Sequence, residues 1–256
     1  MIWRVGNADT YIMASIHVMD PPPLAFSVRG EQAYAAVKRV AFEAVFATQP
    51  DIARYCLPAT NTLGQLLTPS LLKASRQKAQ EVGVAWKELE RFQPWLAALT
   101  LMMTLAGRQD FTAANGVDEQ LLKRATSDHL QVAYLETPDA ALQAFAAAPA
   151  VEQLRFLSFV AEDTETSMAQ VRTMASALRH GLEKPLEEIL DHRLTNAPMM
   201  FDALISQRNK AWMPRIQSMI LDKFPTLVCV GALHCVGSGG LPALVTRLGY
   251  EVSRID

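Results

Sequence analysis

The sequence predicts an α/β protein with a central mixed or mostly parallel sheet that is surrounded by helices. Half of its 256 residues are hydrophobic, so the chain can bury a sizeable core. Short runs rich in aliphatic and β-branched residues end abruptly at turn or polar residues, as strands do. These strand-like runs occur mainly towards the two ends of the chain, whereas residues 51–110 and 150–200 are almost wholly helical in pattern. We therefore expect those two stretches to be helical insertions that form a cap over a cleft.

Five segments have the pattern of strands. Trp3–Val5 is followed by the turn signal Gly6-Asn7, which predicts an opening hairpin with the next strand. The other four are apolar on both faces, which is typical of a sheet covered on each side by helices. In chain order they are Thr10–Ile16, Val40–Phe46, Gln131–Leu135 and Thr226–Val230.

The segments between these strands carry apolar residues three and four positions apart, which predicts amphipathic helices. No Gly/Ser linker or low-complexity stretch divides the chain, so we expect a single domain over residues 1–256. The predicted helices are Leu66–Val82, Trp86–Leu105 with an interruption at Pro94, Val117–Thr126, Asp139–Ala147, Val151–Leu178, Leu186–Thr195 and Met199–Lys223.

Composition excludes several classes of protein. The 24 basic and 26 acidic residues include no Lys/Arg cluster, which argues against nucleic acid as a partner. The longest apolar run, Trp95–Gly107, is shorter than the roughly 18 residues of a transmembrane helix. Three cysteines without a C-x-x-C pair favour reduced thiols in a core. No secretory signal opens the sequence, which predicts a cytoplasmic protein; a chain whose leader had been removed would look the same and would be periplasmic or secreted.

Two histidines and two glutamates are the candidates for chemistry. His17 and His234 follow predicted strands at the edge where α/β proteins bind ligands, and the segments Tyr11–His17 and Val228–His234 resemble each other, as two half-sites would. Glu43 interrupts an apolar strand and Glu136 ends another, and a carboxylate buried there costs several kcal/mol unless it is paired, hydrogen-bonded or bound to a metal. Taken alone, each histidine is consistent with a hydrogen-bonded core residue, and each glutamate with a residue that faces a loop or forms an ion pair. Together they form the mixed nitrogen and oxygen donor set that binds Zn, Mn, Fe or Co.

Other polar residues have simpler interpretations. We expect His129, His180 and His192 to be surface or capping residues, and Gly237–Gly240 to be a plain turn. The pair Arg208-Asn209 on a helix is a plausible contact for an anion or a substrate. The sequence contains neither the G-x-S-x-G of a serine hydrolase nor the H-E-x-x-H of a zincin.

Taken in order, these segments resemble the TraB/GumN family, whose members include the TIKI group described as metal-dependent proteases. The resemblance covers nearly the whole chain and includes two histidine motifs, a strand glutamate and an Arg-Asn helix. The matching segments are Ile2–Val5, Tyr11–His17, Glu43, Thr62–Leu67, Gln93–Trp95, Asn115–Asp118 with Leu121-Leu122, Leu135–Thr137, Arg208-Asn209, Gly231–His234, Gly240-Leu241 and Gly249-Tyr250.

The resemblance implies a fold of the erythromycin-esterase-like and ChaN-like type. It also implies a divalent metal (Mn, Co, Zn or Fe) held by His17, Glu43 and His234, with Asp118, Glu136 and Arg208 as further site residues. Two positions depart from the family. Ala14 stands where the first G-x-x-H motif has glycine. The alanine side chain either narrows the site or is harmless, if the φ of Ala14 is negative. Gln207 stands where an acidic residue is expected before Arg-Asn.

The leading hypothesis is a metal-dependent hydrolase that acts on peptide bonds. In it, His17 and His234 are metal ligands, Glu43 is a third ligand or the general base, and Arg208 stabilises the oxyanion. The predicted substrate-binding residues are Asp118, Glu136 and Asn209, and the partner is a peptide or a small-molecule substrate. One alternative is a non-catalytic protein that holds a peptide, haem or signalling ligand in the same cleft. The other is an esterase that acts on non-peptide substrates.

Overall fold

The computed structural model describes residues 1–6, 9–45 and 51–256. At its centre lies a six-stranded mixed sheet in the order β4-β3-β5-β2-β1-β6. The strands are β1 (Ile2–Val5), β2 (Thr10–Ser15), β3 (Arg39–Phe42), β4 (Gln131–Tyr134), β5 (Thr226–Gly231) and β6 (Val252–Arg254). Strands β2 to β5 pair in parallel, whereas β1 is antiparallel to both of its neighbours. The α/β fold and the mixed sheet that the sequence predicts are confirmed.

The predicted opening hairpin is present, because β1 and β2 pair in antiparallel register with Val5 opposite Thr10. Its turn residue Asn7 and the predicted third-strand end Phe46 lie outside the described residues. Strand β3 ends at Phe42, so Glu43 lies directly after the strand. The sequence analysis missed β6 because this strand is short and alternates with polar residues, and it forms only along the edge of β1.

Helices surround the sheet on both faces, which explains why every residue of β2 and of β3 is buried. Proline begins α3 and α5, where its missing N–H costs nothing. The helices are α1 (Val28–Ala36), α2 (Leu63–Leu66), α3 (Pro69–Glu81), α4 (Trp86–Leu89), α5 (Pro94–Arg108), α6 (Val117–Ser127), α7 (Ala140–Ala147), α8 (Ala150–Ala161), α9 (Thr164–His180), α10 (Lys184–Asn196), α11 (Pro198–Phe201), α12 (Arg208–Leu221) and α13 (Leu241–Arg247).

Two predicted helices are divided in the structure. Val151–Leu178 is two helices, α8 and α9, because the chain turns at Glu162-Asp163 while the apolar spacing continues across the turn. Met199–Lys223 is α11, a π-helical turn over Asp202–Gln207, and α12. Helices α1 and α13 were not predicted; α1 begins at Ser27, whose hydroxyl accepts from the N–H of Gly30 at 3.0 Å.

The buried apolar residues form two clusters. One surrounds the sheet. The other lies among helices of the two predicted insertions, with Trp95 and Leu157 fully buried in it. Leu105 and Ile205 pack against both clusters and so join them.

The remaining predictions concern three histidines, the cysteines and membrane-spanning helices. His129, His180 and His192 are exposed, as expected. All three cysteines are free; two of them are buried, and Cys56 is partly exposed. None of the helices formed by residues 1–6, 9–45 and 51–256 is long and apolar enough to cross a membrane.

Candidate functional site

The carboxyl ends of four parallel strands bring the predicted site residues together. His17 follows β2, Glu43 follows β3, Glu136 follows β4, and His234 ends a short 3₁₀ turn after β5. Because these strands are parallel and adjacent, their carboxyl ends meet at one edge of the sheet. The convergence that the sequence predicts is therefore present, while the chemical roles of these residues stay predictions.

Arg208, the first residue of α12, connects the two glutamates. Its Nη2 lies 2.5 Å from Glu43 Oε2 and 2.6 Å from Glu136 Oε1, and its Nε lies 3.1 Å from both oxygens of Glu136. Its Nη1 donates to the carbonyl of Leu204 at 3.0 Å and lies 3.2 Å from Nε2 of His234. All five N–H groups of the guanidinium can thus be used within the protein. Arg208 can donate to an oxyanion only if it releases one of these bonds.

Glu43 is buried and stays ionised. One of its oxygens accepts the backbone N–H of Gly231 at 2.7 Å, and the other accepts Arg208. Desolvation by burial raises the pKa of Glu43, but His234, His17 and Arg208 more than offset it and lower the pKa to about 2. A carboxylate stabilised this strongly is a weak base.

His234 is 3 % exposed and held from its Nδ1 side. Nδ1 lies 2.7 Å from Oδ1 of Asn209, whose Nδ2 donates to the carbonyls of His234 and Gly239 at 3.2 and 2.9 Å. These two carbonyls fix the amide of Asn209, so its oxygen faces the ring and His234 carries its proton on Nδ1. Burial lowers the pKa of His234 to about 3 against the attraction of Glu43. Nε2 of His234 therefore presents a lone pair towards Arg208 and Glu43.

His17 is held in the same way from the other side of the site. Its Nδ1 lies 3.0 Å from Oδ2 of Asp118, whose other oxygen accepts the hydroxyl of Ser15 at 2.7 Å. Asp118 is buried in the first turn of α6, where the helix dipole favours a negative charge. Desolvation opposes protonation of His17, but the charge and the hydrogen bond of Asp118 overcome it and raise the pKa to about 9. Unlike His234, the His17 side chain is 54 % exposed and so lies at the open side of the site.

Gly231 lies where the three groups meet. A Cβ at this position would lie 3.2 Å from Oε1 of Glu43, 3.6 Å from Cδ2 of His234 and 4.0 Å from Nε2 of His17. A second glycine, Gly116, allows the chain of His17 to pass close by, because a Cβ there would lie 2.2 Å from the carbonyl oxygen of His17. Close approach therefore requires glycine at position 116, whereas a side chain at position 231 would push the carboxylate of Glu43 away by a few tenths of an ångström.

Ala14 does not narrow this site. It lies inside β2 with a φ that is not positive, so an L residue adopts its conformation without strain. Its partner in the sheet is Val230, whereas Ser15 pairs with Gly231 on the side of Asp118. Since successive side chains of a strand point to opposite faces, the Cβ of Ala14 lies on the other face of the sheet. Of the two alternatives for this departure from the family, the structure supports the harmless one.

Gln207, the second departure, takes no part in holding Arg208. Its Nε2 donates to Oδ2 of Asp202 at 2.8 Å. The carboxylates that pair with Arg208 come from Glu43 and Glu136 instead.

The sequence analysis missed Trp212. Its Nε1 donates to Oε2 of Glu136 at 2.8 Å, its ring lies 4.5 Å from the ring of His234, and Arg208 lies 4.7 Å above it. Trp212 is four residues after Arg208, and helical spacing places the two on the same face of α12. That spacing is the signal that would have found it.

The three predicted substrate-binding residues all have partners within the protein. Asp118 holds His17, Glu136 holds Arg208 and Trp212, and Asn209 holds His234. Asn209 is completely buried. Substrate binding by these residues stays a prediction; their observed contacts orient the side chains that face the centre of the site.

Within the described part of the chain, no group of three or more His, Cys, Asp and Glu side chains is arranged to hold a metal ion. Oε1 of Glu43 and Nε2 of His234 are 3.9 Å apart, and the guanidinium of Arg208 contacts both residues.

The fold and this cluster define an α/β protein with a polar site at the carboxyl edge of a mixed sheet. The sequence pattern of the TraB/PrgY/gumN family matches residues 1–254, so the chain belongs to that family. Two relatives, both named "Uncharacterized protein YbaP", come from Shigella flexneri and Escherichia coli (strain K12). Each is 27 % identical over 245 residues, which cover 94 % of this chain and 89 % of the relative. No solved structure matches the chain significantly.

Proposed function

We propose that the protein is a metal-dependent hydrolase that cleaves peptide bonds at the cluster of His17, Glu43, His234 and Arg208. The observation that carries this proposal is the way in which the two imidazoles are held. Each is anchored through Nδ1, His17 by Asp118 and His234 by Asn209. This leaves Nε2 of His234 3.9 Å from Oε1 of Glu43, and Nε2 of His17 4.0 Å from the place of a Cβ on Gly231. Histidine ligands of metal ions are typically oriented by such a partner on their other ring nitrogen.

The charge of the cluster favours a divalent cation. The cluster contains three carboxylates, those of Glu43, Glu136 and Asp118, and one guanidinium. This leaves an excess of two negative charges once His17 has given up the proton that its raised pKa favours, as a metal ligand must. The donor set of two imidazole nitrogens and one carboxylate suits Mn, Co, Zn or Fe. When bound there, such a metal would supply an activated water molecule and would polarise the carbonyl of the substrate. His17, Glu43 and His234 would hold it after Nη1 of Arg208 has left His234.

The chain's own residues then have distinct roles. The low pKa of Glu43 favours its role as a ligand over its role as general base, because a strongly stabilised carboxylate takes up a proton reluctantly. Arg208 is the group that can supply positive charge to an oxyanion, and the N–H that it gives up at His234 is the one available for this purpose. Trp212 and Glu136 orient its guanidinium.

A second candidate, hydrolysis of a non-peptide ester without a metal, is supported by two contacts. The carboxylate of Asp118 orients His17 as it would orient a general base, and the guanidinium of Arg208 already occupies the place beside His234. In that reaction the neutral form of His17 would take the proton from water and pass it to the leaving group. Ester hydrolysis by this route should therefore rise towards alkaline pH, because Asp118, against the desolvation of burial, raises the pKa of His17 to about 9.

One experiment tests both candidates. The purified protein is reconstituted separately with Mn, Co, Zn and Fe(II), and metal content and hydrolysis are measured with a peptide library and a panel of esters. We expect stoichiometric metal and peptide cleavage in the parent, and the loss of both in His17→Ala and in His234→Ala. The control is His180→Ala, which changes an exposed histidine whose Nδ1 bonds the carbonyl of Ser176 in its own helix.

Each result has a defined meaning. Unchanged metal content and cleavage in both site variants contradict the proposal. Hydrolysis of esters alone, undiminished by a chelator, favours the second candidate. A parent that hydrolyses no substrate with any of the four metals contradicts both and favours a non-catalytic binding protein.

A further inference from the structure

A cavity of about 420 Å³ opens among the helices, and it is lined by none of His17, Glu43, His234 and Arg208. It lies between α5 and the helices α7 to α11, and its volume falls within the range of about 300–1,000 Å³ that is typical of small-molecule sites. The apolar part of its wall is mainly aromatic: Phe145, Phe156, Phe159 and Phe201, together with Met102 and Ala197. Phe145 and Phe156 are stacked with ring centroids 5.9 Å apart.

The polar part of the wall contains Arg193 on α10. Its Nε donates to Oε1 of Gln170 at 3.2 Å, and its guanidinium lies 5.4 Å from the centre of the Phe201 ring. No carboxylate of the described residues lies within ion-pair distance of Arg193. Gln170 is itself fixed, because its Nε2 donates to Nδ1 of His192 at 3.0 Å. The guanidinium is thus oriented by neutral groups and lacks a counter-charge in the part of the chain that the structure describes.

Two carboxylates line the same cavity, but neither neutralises Arg193. Glu162 accepts the hydroxyls of Ser158 and Ser70 at 2.5 and 3.3 Å. Asp163 immediately precedes α9, where the helix dipole favours its charge. Burial alone lowers the pKa of Arg193 to about 10, with no contribution from a nearby acid. A cation in such a place gains from an anionic partner more than a solvated surface arginine does.

We propose that this cavity binds a small apolar carboxylate, whose tail lies among the phenylalanine rings and whose carboxylate pairs with Arg193. Two sources have this chemistry: a free medium-chain fatty acid, and the C-terminal carboxylate of a short hydrophobic peptide. Both present one anionic head on an apolar body, and the planar guanidinium suits a bidentate contact with that head.

The test uses the full chain with decanoate and N-acetyl-Phe-Leu as probes of the two sources. Binding is measured by isothermal titration calorimetry and by NMR of ¹³C-methyl methionine, since Met102 lines the cavity and can be assigned with Met102→Leu. We expect at least one probe to bind and to shift the Met102 methyl. Arg193→Gln should weaken that binding about tenfold or more, because a hydrogen-bonded charge pair is lost. The control Arg76→Gln, at an arginine that packs on Trp86 outside the cavity, should leave it unchanged.

A comparison without any substitution guards against a variant that does not fold. Decanol and decyltrimethylammonium have an alkyl tail of nearly the same length as that of decanoate but lack its negative charge. We expect both to bind the parent at least about tenfold more weakly than decanoate. The proposal is overturned if these two bind as tightly as decanoate, or if neither carboxylate shifts Met102. Equal binding by a folded Arg193→Gln variant also overturns it.

Discussion

Asn209→Ala provides the most direct test of how the site is built. The Asn209 side chain is completely buried and makes three hydrogen bonds, to Nδ1 and the carbonyl of His234 and to the carbonyl of Gly239. Alanine leaves the buried N–H and the buried carbonyl of His234 without these partners, whereas Gly239 is exposed and its carbonyl can bond water instead. Each buried group left unpaired costs about 1 kcal/mol or more, so we expect the free energy of unfolding to fall by about 2 kcal/mol. For a chain of this length, that loss lowers the Tm by about 4–8 °C.

The variant should also release the ring of His234. In the parent, Oδ1 of Asn209 keeps the proton on Nδ1, and we expect the variant to show a mixture of both neutral tautomers in ¹⁵N NMR. Asn61→Ala, at an exposed asparagine, is the matched control for stability. A variant within about 0.5 kcal/mol of the parent, with His234 still in one tautomer, would refute the positioning role of Asn209.

Exchanges between glycine and alanine at positions 231 and 14 give further predictions. Gly231→Ala places a Cβ 3.2 Å from Oε1 of Glu43, so we expect metal affinity and hydrolysis to fall; Gly239→Ala, whose Cβ would meet nothing within 4 Å, should change neither. If both substitutions are neutral, Glu43 and the histidines do not act together around Gly231. Ala14→Gly should destabilise β2 by about 0.5–1 kcal/mol in denaturant unfolding, since glycine has more freedom to lose, with no gain in metal affinity. A gain in metal binding or hydrolysis on restoring this glycine would contradict our assignment of Ala14 to the opposite face.

The sequence was sufficient to predict where the site lies because two of its signals have direct physical causes. Strand-like segments that lead to His17 and His234 become neighbouring parallel strands, so the histidines meet at one edge. A carboxylate such as Glu43 next to a buried strand requires a partner, and Arg208 supplies it. Neither signal, however, specifies which partner is chosen.

What the sequence could not predict depends on contacts between distant segments. The bond between Asn209 and His234 joins residues 25 positions apart, and the pairing of Glu136 with Arg208 joins residues 72 apart. The spacing of apolar residues also continues unchanged across the turn between α8 and α9, so this spacing does not indicate that the helix is interrupted there. The π-helical turn Asp202–Gln207 cannot be predicted from apolar spacing either. This turn provides the Leu204 carbonyl that Arg208 contacts.

Arg208→Lys separates the charge of this residue from its shape. Lysine keeps the positive charge, but its single ammonium group cannot bond Glu43, Glu136 and His234 at once, as the guanidinium does. At least two buried hydrogen bonds are lost, so we expect the free energy of unfolding to fall by about 2–3 kcal/mol. The exposed Arg215 on the same helix provides the control Arg215→Lys, which should cost less than about 0.5 kcal/mol.

The same substitution distinguishes the two ways in which the cluster could work. If a metal binds at His17, Glu43 and His234, the guanidinium competes with it for Nε2 of His234, and removing that contact should tighten metal binding in calorimetric titrations. Hydrolysis should nevertheless fall, because the oriented N–H groups that can stabilise an oxyanion are gone. Metal affinity that weakens together with hydrolysis would contradict the competition, since it would mean that Arg208 supports the ligands instead of displacing the metal. A variant that hydrolyses as fast as the parent would show that the guanidinium geometry of Arg208 plays no part in catalysis.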